Sequence, residues 1–75
     1  MRVTVRYFAV LRERRGVPVE EVDLPEACTV AAAYAHIGLP AGLRVAFAVN
    51  ETVVPQDTAL HAGDDLAFLP PLGGG

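Results

Sequence analysis

The stretch TVAAAYAHIGLPAGLRVAFAV, residues 29–49, decides the architecture. Thr29 can cap a first helical turn, and Gly38 with Pro40 closes the segment, so the stretch predicts a helix over residues 30–37. Val30, Tyr34 and Ile37 recur at helical spacing, and the alanines between them allow close packing on a sheet. The period then changes. In RVAFAV, residues 44–49, Val45, Phe47 and Val49 share one phase of a strict alternation, which predicts a central strand.

Outward from this core, residues 2–8, RVTVRYF, also alternate. Val3, Val5 and Tyr7 point one way and Arg2, Thr4, Arg6 and Phe8 the other, the pattern of a strand with one buried face. Residues 9–16, AVLRERRG, suit a short helix closed by Gly16 in a left-handed cap. Residues 17–24, VPVEEVDL, read as a second strand. Its apolar phase runs through Val17 and Val19, then slips at Glu20-Glu21 to Val22 and Leu24. The slip predicts a β-bulge or an irregular edge; Pro18 favours an edge position and Pro25 ends the strand.

On the other side, Asn50-Glu51 is a turn leading into Thr52-Val53-Val54, which stops at Pro55. Residues 56–60 read as a loop with one helical turn. His61-Ala62-Gly63-Asp64 is a tight turn in which the Asp64 side chain bonds turn backbone. Asp65–Leu69 is a last strand with Leu66 and Phe68 in phase. One main helix must cover one face of a mixed sheet of four or five strands, because no other layer can bury it. The connection from the second strand to the third passes through that helix, and this is expected to make one pair of strands parallel. Together these readings describe an α+β roll of the ubiquitin-like, β-grasp kind. The domain spans residues 1–69, and residues 70–75 form an extended, flexible tail.

The counts narrow the chemistry. Seventy-five residues allow one domain with one thin core. The chain is 52% hydrophobic and 20% charged, too apolar for disorder. No apolar run approaches the ~20 residues that span a bilayer, and the alternating start is not a signal peptide. A single cysteine, Cys28, excludes an internal disulfide and points to a reducing cytoplasmic setting; its expected role is a small buried filler. His36 and His61 have no neighbouring ligands, so no metal site is expected. A net charge of −3 with scattered arginines gives no basic stripe for nucleic acid. A substrate pocket would consume most of so small a core. Glu51, Asp57, Asp64 and Asp65 read as turn and surface residues. The expected protein acts through partners, without an active site of its own, and with no lysine it cannot be modified on lysine side chains.

The last six residues follow different rules. Pro70 and Pro71 set a stiff, extended exit from the final strand, Leu72 comes next, and Gly73, Gly74 and Gly75 remove all side-chain bulk. Extended, six residues reach roughly 20 Å. Such a tail lets a terminal carboxylate pass along a narrow channel into another protein's active site. Beside it, the outward phase of the sheet carries Phe8, Ala46, Ala48, Ala67, Leu69 and Val53, with Arg2, Thr4 and Arg6 as its polar cover. An apolar patch beside an extended tail is what docking requires. Arg12 is either a polar anchor at the rim of that patch or a solvated helix charge.

Four segments carry a family resemblance: Tyr7-Phe8-Ala9-Val10-Leu11-Arg12-Glu13, Val49-Asn50-Glu51, Gly63-Asp64-Asp65-Leu66-Ala67-Phe68, and Pro70-Pro71-Leu72 with the glycine end. In order and spacing the chain resembles the MoaD sulfur carriers, the small subunits of molybdopterin synthase within the MoaD/ThiS ubiquitin-like group. The resemblance implies that the carboxylate of Gly75 is adenylated by a ubiquitin-activating-type adenylyltransferase (MoeB-like) that uses ATP. The adenylate would then be converted to a thiocarboxylate with sulfur from a donor protein. The tail would dock into the large subunit of molybdopterin synthase (MoaE-like), and the sulfur would pass to precursor Z. No bound cofactor is implied. The ending Leu72-Gly73-Gly74-Gly75 also resembles the thiamin sulfur carriers, which usually lack the Phe-Ala-x-Leu-Arg-Glu segment and the Pro-Pro. A thiamin-pathway carrier, or a ubiquitin-like binding module or protein modifier, is therefore the alternative.

Overall fold

The computed structural model describes residues 1–71, and the tail residues Leu72, Gly73, Gly74 and Gly75 lie outside the described residues. In chain order the elements are β1 (Arg2–Tyr7), α1 (Ala9–Arg15), β2 (Val19–Asp23), α2 (Val30–Ile37), β3 (Ala46–Val49), β4 (Thr52–Val54) and β5 (Asp65–Leu69). The five strands form one mixed sheet in the order β2-β1-β5-β3-β4. This is the β-grasp roll read from the sequence.

The caps explain where the helices stop. Thr29 Oγ1 accepts from the Ala32 N–H at 3.1 Å, and Gly38 closes α2 at φ 89°, where a side chain would strain the backbone. Gly16 ends α1 in the same left-handed way at φ 80°. Asn50 and Glu51, at φ 50° and 72°, both take the positive φ of a type I′ hairpin turn between β3 and β4. In the turn before β5, Asp64 Oδ2 accepts from the His61 N–H at 2.8 Å, so the aspartate does bond turn backbone. Residues 56–60 hold a turn and the isolated bridge Thr29↔Ala59 in place of the expected helical turn.

The one parallel pair expected in the mixed sheet is β1 and β5, with Thr4↔Asp65 through Tyr7↔Phe68 in register. The crossover through α2 carries the chain past both central strands, so β2 and β3 never meet. Of the two alternatives for the second strand, the edge position holds and the bulge is absent. The β1–β2 ladder runs from Arg2↔Asp23 to Arg6↔Val19 without an extra residue. The apolar phase breaks because Glu20, opposite Val5, occupies a core-side position of an edge strand, while Val19 turns outward and is exposed. Phe8 also leaves the first strand, becoming the N-cap of α1.

The core lies between α2 and one face of the sheet. Val3, Val5, Tyr7, Leu66 and Phe68 come from the two central strands, Val30 and Ala33 from α2, and Leu11 from α1. Cys28 is buried there as a free thiol that desolvation pushes above its ordinary pKa. An aromatic group holds the layers together: Phe68 lies 5.2 Å from Tyr34, 5.8 Å from Phe47 and 6.1 Å from Tyr7, centroid to centroid. The Tyr34 hydroxyl donates to the Pro40 carbonyl at 2.6 Å, so the polar end of this ring is satisfied. Neither helix is long and apolar enough to cross a membrane.

Candidate functional site: the tail exit and its apolar face

With α2 on one face, the other face of the sheet is left to solvent, and its composition is set by strand order. Ala48 stands opposite Val53 on β4 and Ala67 on β5, and Ala67 stands opposite Arg6 on β1. Val53, Ala48, Ala67 and Arg6 therefore form one row across four strands. Ala46 and Leu69 form the next row, nearer the end where β5 finishes. Val53 is 68% exposed, whereas Ala48, flanked by Val53 and Ala67, is only 7% exposed. The Ala48 methyl therefore contributes little accessible surface to this face.

The apolar rows have a charged border. Arg6 Nε donates to both carboxylate oxygens of Asp65 at 2.9 and 3.0 Å. This pair closes the patch on the side away from the tail. Arg2 forms a second border, reaching Asp23 at 3.1 Å and Glu21 at 3.4 Å across β2. Both guanidinium groups are held above their ordinary pKa, chiefly by side-chain hydrogen bonds to Asp65 and Asp23 respectively. The charges are exposed, so they frame the patch more than they stabilise the fold.

The chain leaves the sheet at the opposite border. Leu69 is half-buried in β5, Pro70 is buried and Pro71 is exposed. The parallel pairing Tyr7↔Phe68 puts the end of β1 at this same end of the sheet, so Phe8 and α1 start where the tail departs. Phe8 is 44% exposed. It sits at an unusual junction: its own backbone is extended, and Ala9 then turns left-handed at φ 51°. Arg12 lies one helical turn beyond Phe8 on the same side of α1, exposed and without an ion pair among the described residues.

Of the residues singled out in the sequence, Val53 and Leu69 lie on the sheet face, Phe8 and Arg12 on the α1 rim, and Pro70 and Pro71 at the exit. Gly73, Gly74, Gly75 and Leu72 fall outside the described residues. Sequence reading missed the Arg6–Asp65 pair. Its only local signal was the polar phase of Arg6, because its partner lies 59 residues away and the β1–β5 register brings them together. Among the described residues no pocket opens, and no group of three or more His, Cys, Asp or Glu side chains could hold a metal ion. What the arrangement offers is a shaped surface at the base of an exit path.

A family model described as the ThiS family matches residues 5–75. This chain belongs to the ThiS family. Among curated relatives, the molybdopterin synthase sulfur carrier subunit of Escherichia coli K12 is 38% identical over 84 residues, covering 97% of this chain and 99% of that protein. Among solved structures, the putative molybdopterin converting factor subunit 1 of Pyrococcus furiosus superposes with a TM-score of 0.78 at 31% identity, covering 96% of this ThiS-family chain and 99% of its own. A Helicobacter pylori complex of subunits 1 and 2 of molybdopterin-converting factor matches at a TM-score of 0.64 and 26% identity, covering 100% of each chain. In that complex a chain similar to this one is assembled with a second, different subunit.

Proposed function

We propose that this ThiS-family chain is a sulfur carrier of molybdenum cofactor biosynthesis, the small, non-catalytic subunit of a molybdopterin synthase. The end-to-end likeness to a sulfur carrier subunit is the single observation that carries the reading. The exposed apolar face at the tail exit supports it, because a carrier must hold its partner beside the path of its own terminus. The carboxylate of Gly75 is the reacting group. A ubiquitin-activating-type partner adenylates it with ATP, pyrophosphate leaves, and hydrosulfide supplied by a donor protein then attacks the acyl carbon, breaking the acyl–phosphate bond and releasing AMP to leave a thiocarboxylate. An acyl adenylate is reactive because AMP is a good leaving group, so the carrier needs no side-chain nucleophile. The tail then delivers the sulfur to precursor Z in the large subunit. A reducing cytoplasm is the matching compartment, since Cys28 is a free thiol.

Intact-mass measurement tests the reading. After incubation with the activating partner, ATP and a sulfur donor, the chain gains the mass difference of oxygen replaced by sulfur. The same product then converts precursor Z when a large synthase subunit is added. A terminus that is never thiolated overturns the carrier reading. A thiolated chain that cannot serve precursor Z instead supports a thiamin-pathway carrier, which the Leu-Gly-Gly-Gly ending also resembles. Deleting Gly75 is expected to abolish transfer and to leave the melting temperature nearly unchanged, because a glycine carries no side chain to bury.

A further inference from the structure

The phase break at Glu20 has a use in the fold. Glu20 Oε2 accepts three hydrogen bonds: from the Tyr7 hydroxyl at 2.6 Å, and from Arg15 Nη2 and Nε at 2.7 and 2.9 Å. Arg15 also lies over the Tyr7 ring, 5.8 Å from its centroid. One carboxylate on the β2 edge thus joins the end of β1 to the last turn of α1.

That junction matters because α1 has little else to hold it. It has seven residues, well below the ~12–15 at which a helix is even marginal in isolation. Its N-cap, Phe8, makes no side-chain capping bond, and its first turn holds no acidic residue. Two side chains tie it down: Leu11, fully buried, and Arg15, one turn further along. They share one stripe of the helix, and the N-cap Phe8 and Arg12 share the adjacent stripe, about 60° around. Fixing Leu11 and Arg15 therefore fixes the direction in which Phe8 and Arg12 point. Leu11 is the α1 side chain in the core, and short links to β1 and β2 hold the helix only at its two ends. The Arg15–Glu20–Tyr7 junction adds the second side-chain point that fixes its rotation.

We infer that Glu20 is a positioning residue for docking: through Arg15 it sets the angle at which α1 presents Phe8 and Arg12 to the partner subunit beside the tail. The inference rests on the docking reading proposed above. It also explains why an edge strand carries a carboxylate on its core side, where an apolar residue would continue the phase.

The test compares Glu20→Ala and Glu20→Gln with the wild type by amide hydrogen exchange and by affinity for a large synthase subunit. In Glu20→Ala, the Leu11, Arg12 and Gly16 amides exchange on the order of tenfold faster, the factor that loss of a charged hydrogen bond brings. The Val5 and Leu66 amides keep their protection. Affinity for the large subunit falls by a similar factor, and Glu20→Gln, which keeps an acceptor, recovers part of both. Unchanged α1 exchange overturns the junction, and equal loss of protection across the sheet makes Glu20 a general stability residue and overturns positioning. A loosened α1 with unchanged affinity also overturns it. A wild-type chain that fails to bind any large subunit, with the exchange pattern as expected, overturns the docking reading instead.

Discussion

Phe68 meets Tyr34 edge-on, ring centroids 5.2 Å apart and planes at 85°. This contact joins β5, the strand from which the tail departs, to α2, the one helix layer over the sheet. Because Tyr7 and Phe47 also pack on Phe68, a single ring couples the end of β1, β3 and the helix. The strand that leads to the exit is therefore anchored in the aromatic part of the core. On the proposed docking reading this fixes the point from which the tail leaves relative to the partner.

Truncating Phe68 should therefore cost more than a typical substitution. Phe68→Ala removes about 3–5 kcal/mol, against a total of only a few kcal/mol for a core of this size. The expected result is a chain largely unfolded at 25 °C, with no cooperative denaturant transition. Phe68→Leu, which keeps most of the volume, should lose about 1–2 kcal/mol and still unfold cooperatively. Chemical denaturation of both variants checks this; a stable Phe68→Ala protein would remove the ring from its central place.

The hairpin between β3 and β4 offers a gain in stability. Glu51 holds φ 72° in a turn position that glycine adopts without a Cβ penalty. Glu51→Gly relieves strain of about 1 kcal/mol and gives back roughly half of it as unfolded-chain entropy. The net effect is a rise in melting temperature of about 2–4 °C. Asn50 should not be changed with it. Its side chain donates to Asp64 at 3.1 Å and accepts from the Asp65 N–H at 3.0 Å, tying the two turns together. Asn50→Gly keeps the permitted φ yet loses both bonds, so its melting temperature should fall. Paired melting curves separate strain from bonding at this turn.

Most of the elements were legible in the sequence because each is written in local period and caps. Thr29 and Gly38 bracket α2, and the alternation of Val3, Val5 and Tyr7 marks β1. What was not legible is which strands are neighbours. The β1–β5 pairing joins residues some 60 positions apart, as in Arg6 with Asp65 at 59, and no local pattern encodes it. Glu20 misled for a related reason. Read alone, a charge in the apolar phase means an extra residue; its actual partners, Tyr7 and Arg15, lie on two other elements. The candidate site divides in the same way. Val53 and Leu69 were recognisable as outward residues, but their standing in adjacent rows depends on the order β5-β3-β4.

The Tyr7–Glu20 bond makes stability pH-dependent at both ends of the scale. Hydrogen bonds from Tyr7 and then Arg15 hold the Glu20 carboxyl below its ordinary 4.5. A depressed carboxyl contributes stability that is present above the unfolded value and lost as pH falls through the folded one, so the acid limb begins below about pH 4.5. Burial and then the Glu20 carboxylate push the Tyr7 hydroxyl well above its ordinary 10.0. A raised phenol contributes stability that is present below the unfolded value and lost as pH rises toward the folded one, giving an alkaline limb above about pH 10. Glu20→Gln should remove the Glu20 share of the acid limb, leaving that of Asp23, which its hydrogen bond from Arg2 also holds low, and should leave an alkaline limb from burial alone. Urea midpoints measured across this range check both limbs.

The last prediction concerns the proposed docking face. Val53 is 68% exposed at the outer strand of the apolar rows, with no core contact to lose. A carboxylate placed there keeps its own solvation in the free chain, so Val53→Glu should change stability by no more than about 0.5 kcal/mol. In a complex it must be buried against the partner without a counter-charge, and affinity for a large synthase subunit should fall on the order of tenfold or more. Ala32→Glu, exposed on α2 over the opposite face, adds the same charge and should leave affinity unchanged. The pair distinguishes a local contact from a general charge effect. Equal loss in both variants would point to long-range repulsion, whereas loss in neither would move the interface away from β4. The proposed thiolation of Gly75 by an activating partner should be measured in the same variants. If both partners use this face, Val53→Glu slows thiolation and sulfur delivery together, and if only the large subunit uses it, thiolation proceeds at the wild-type rate.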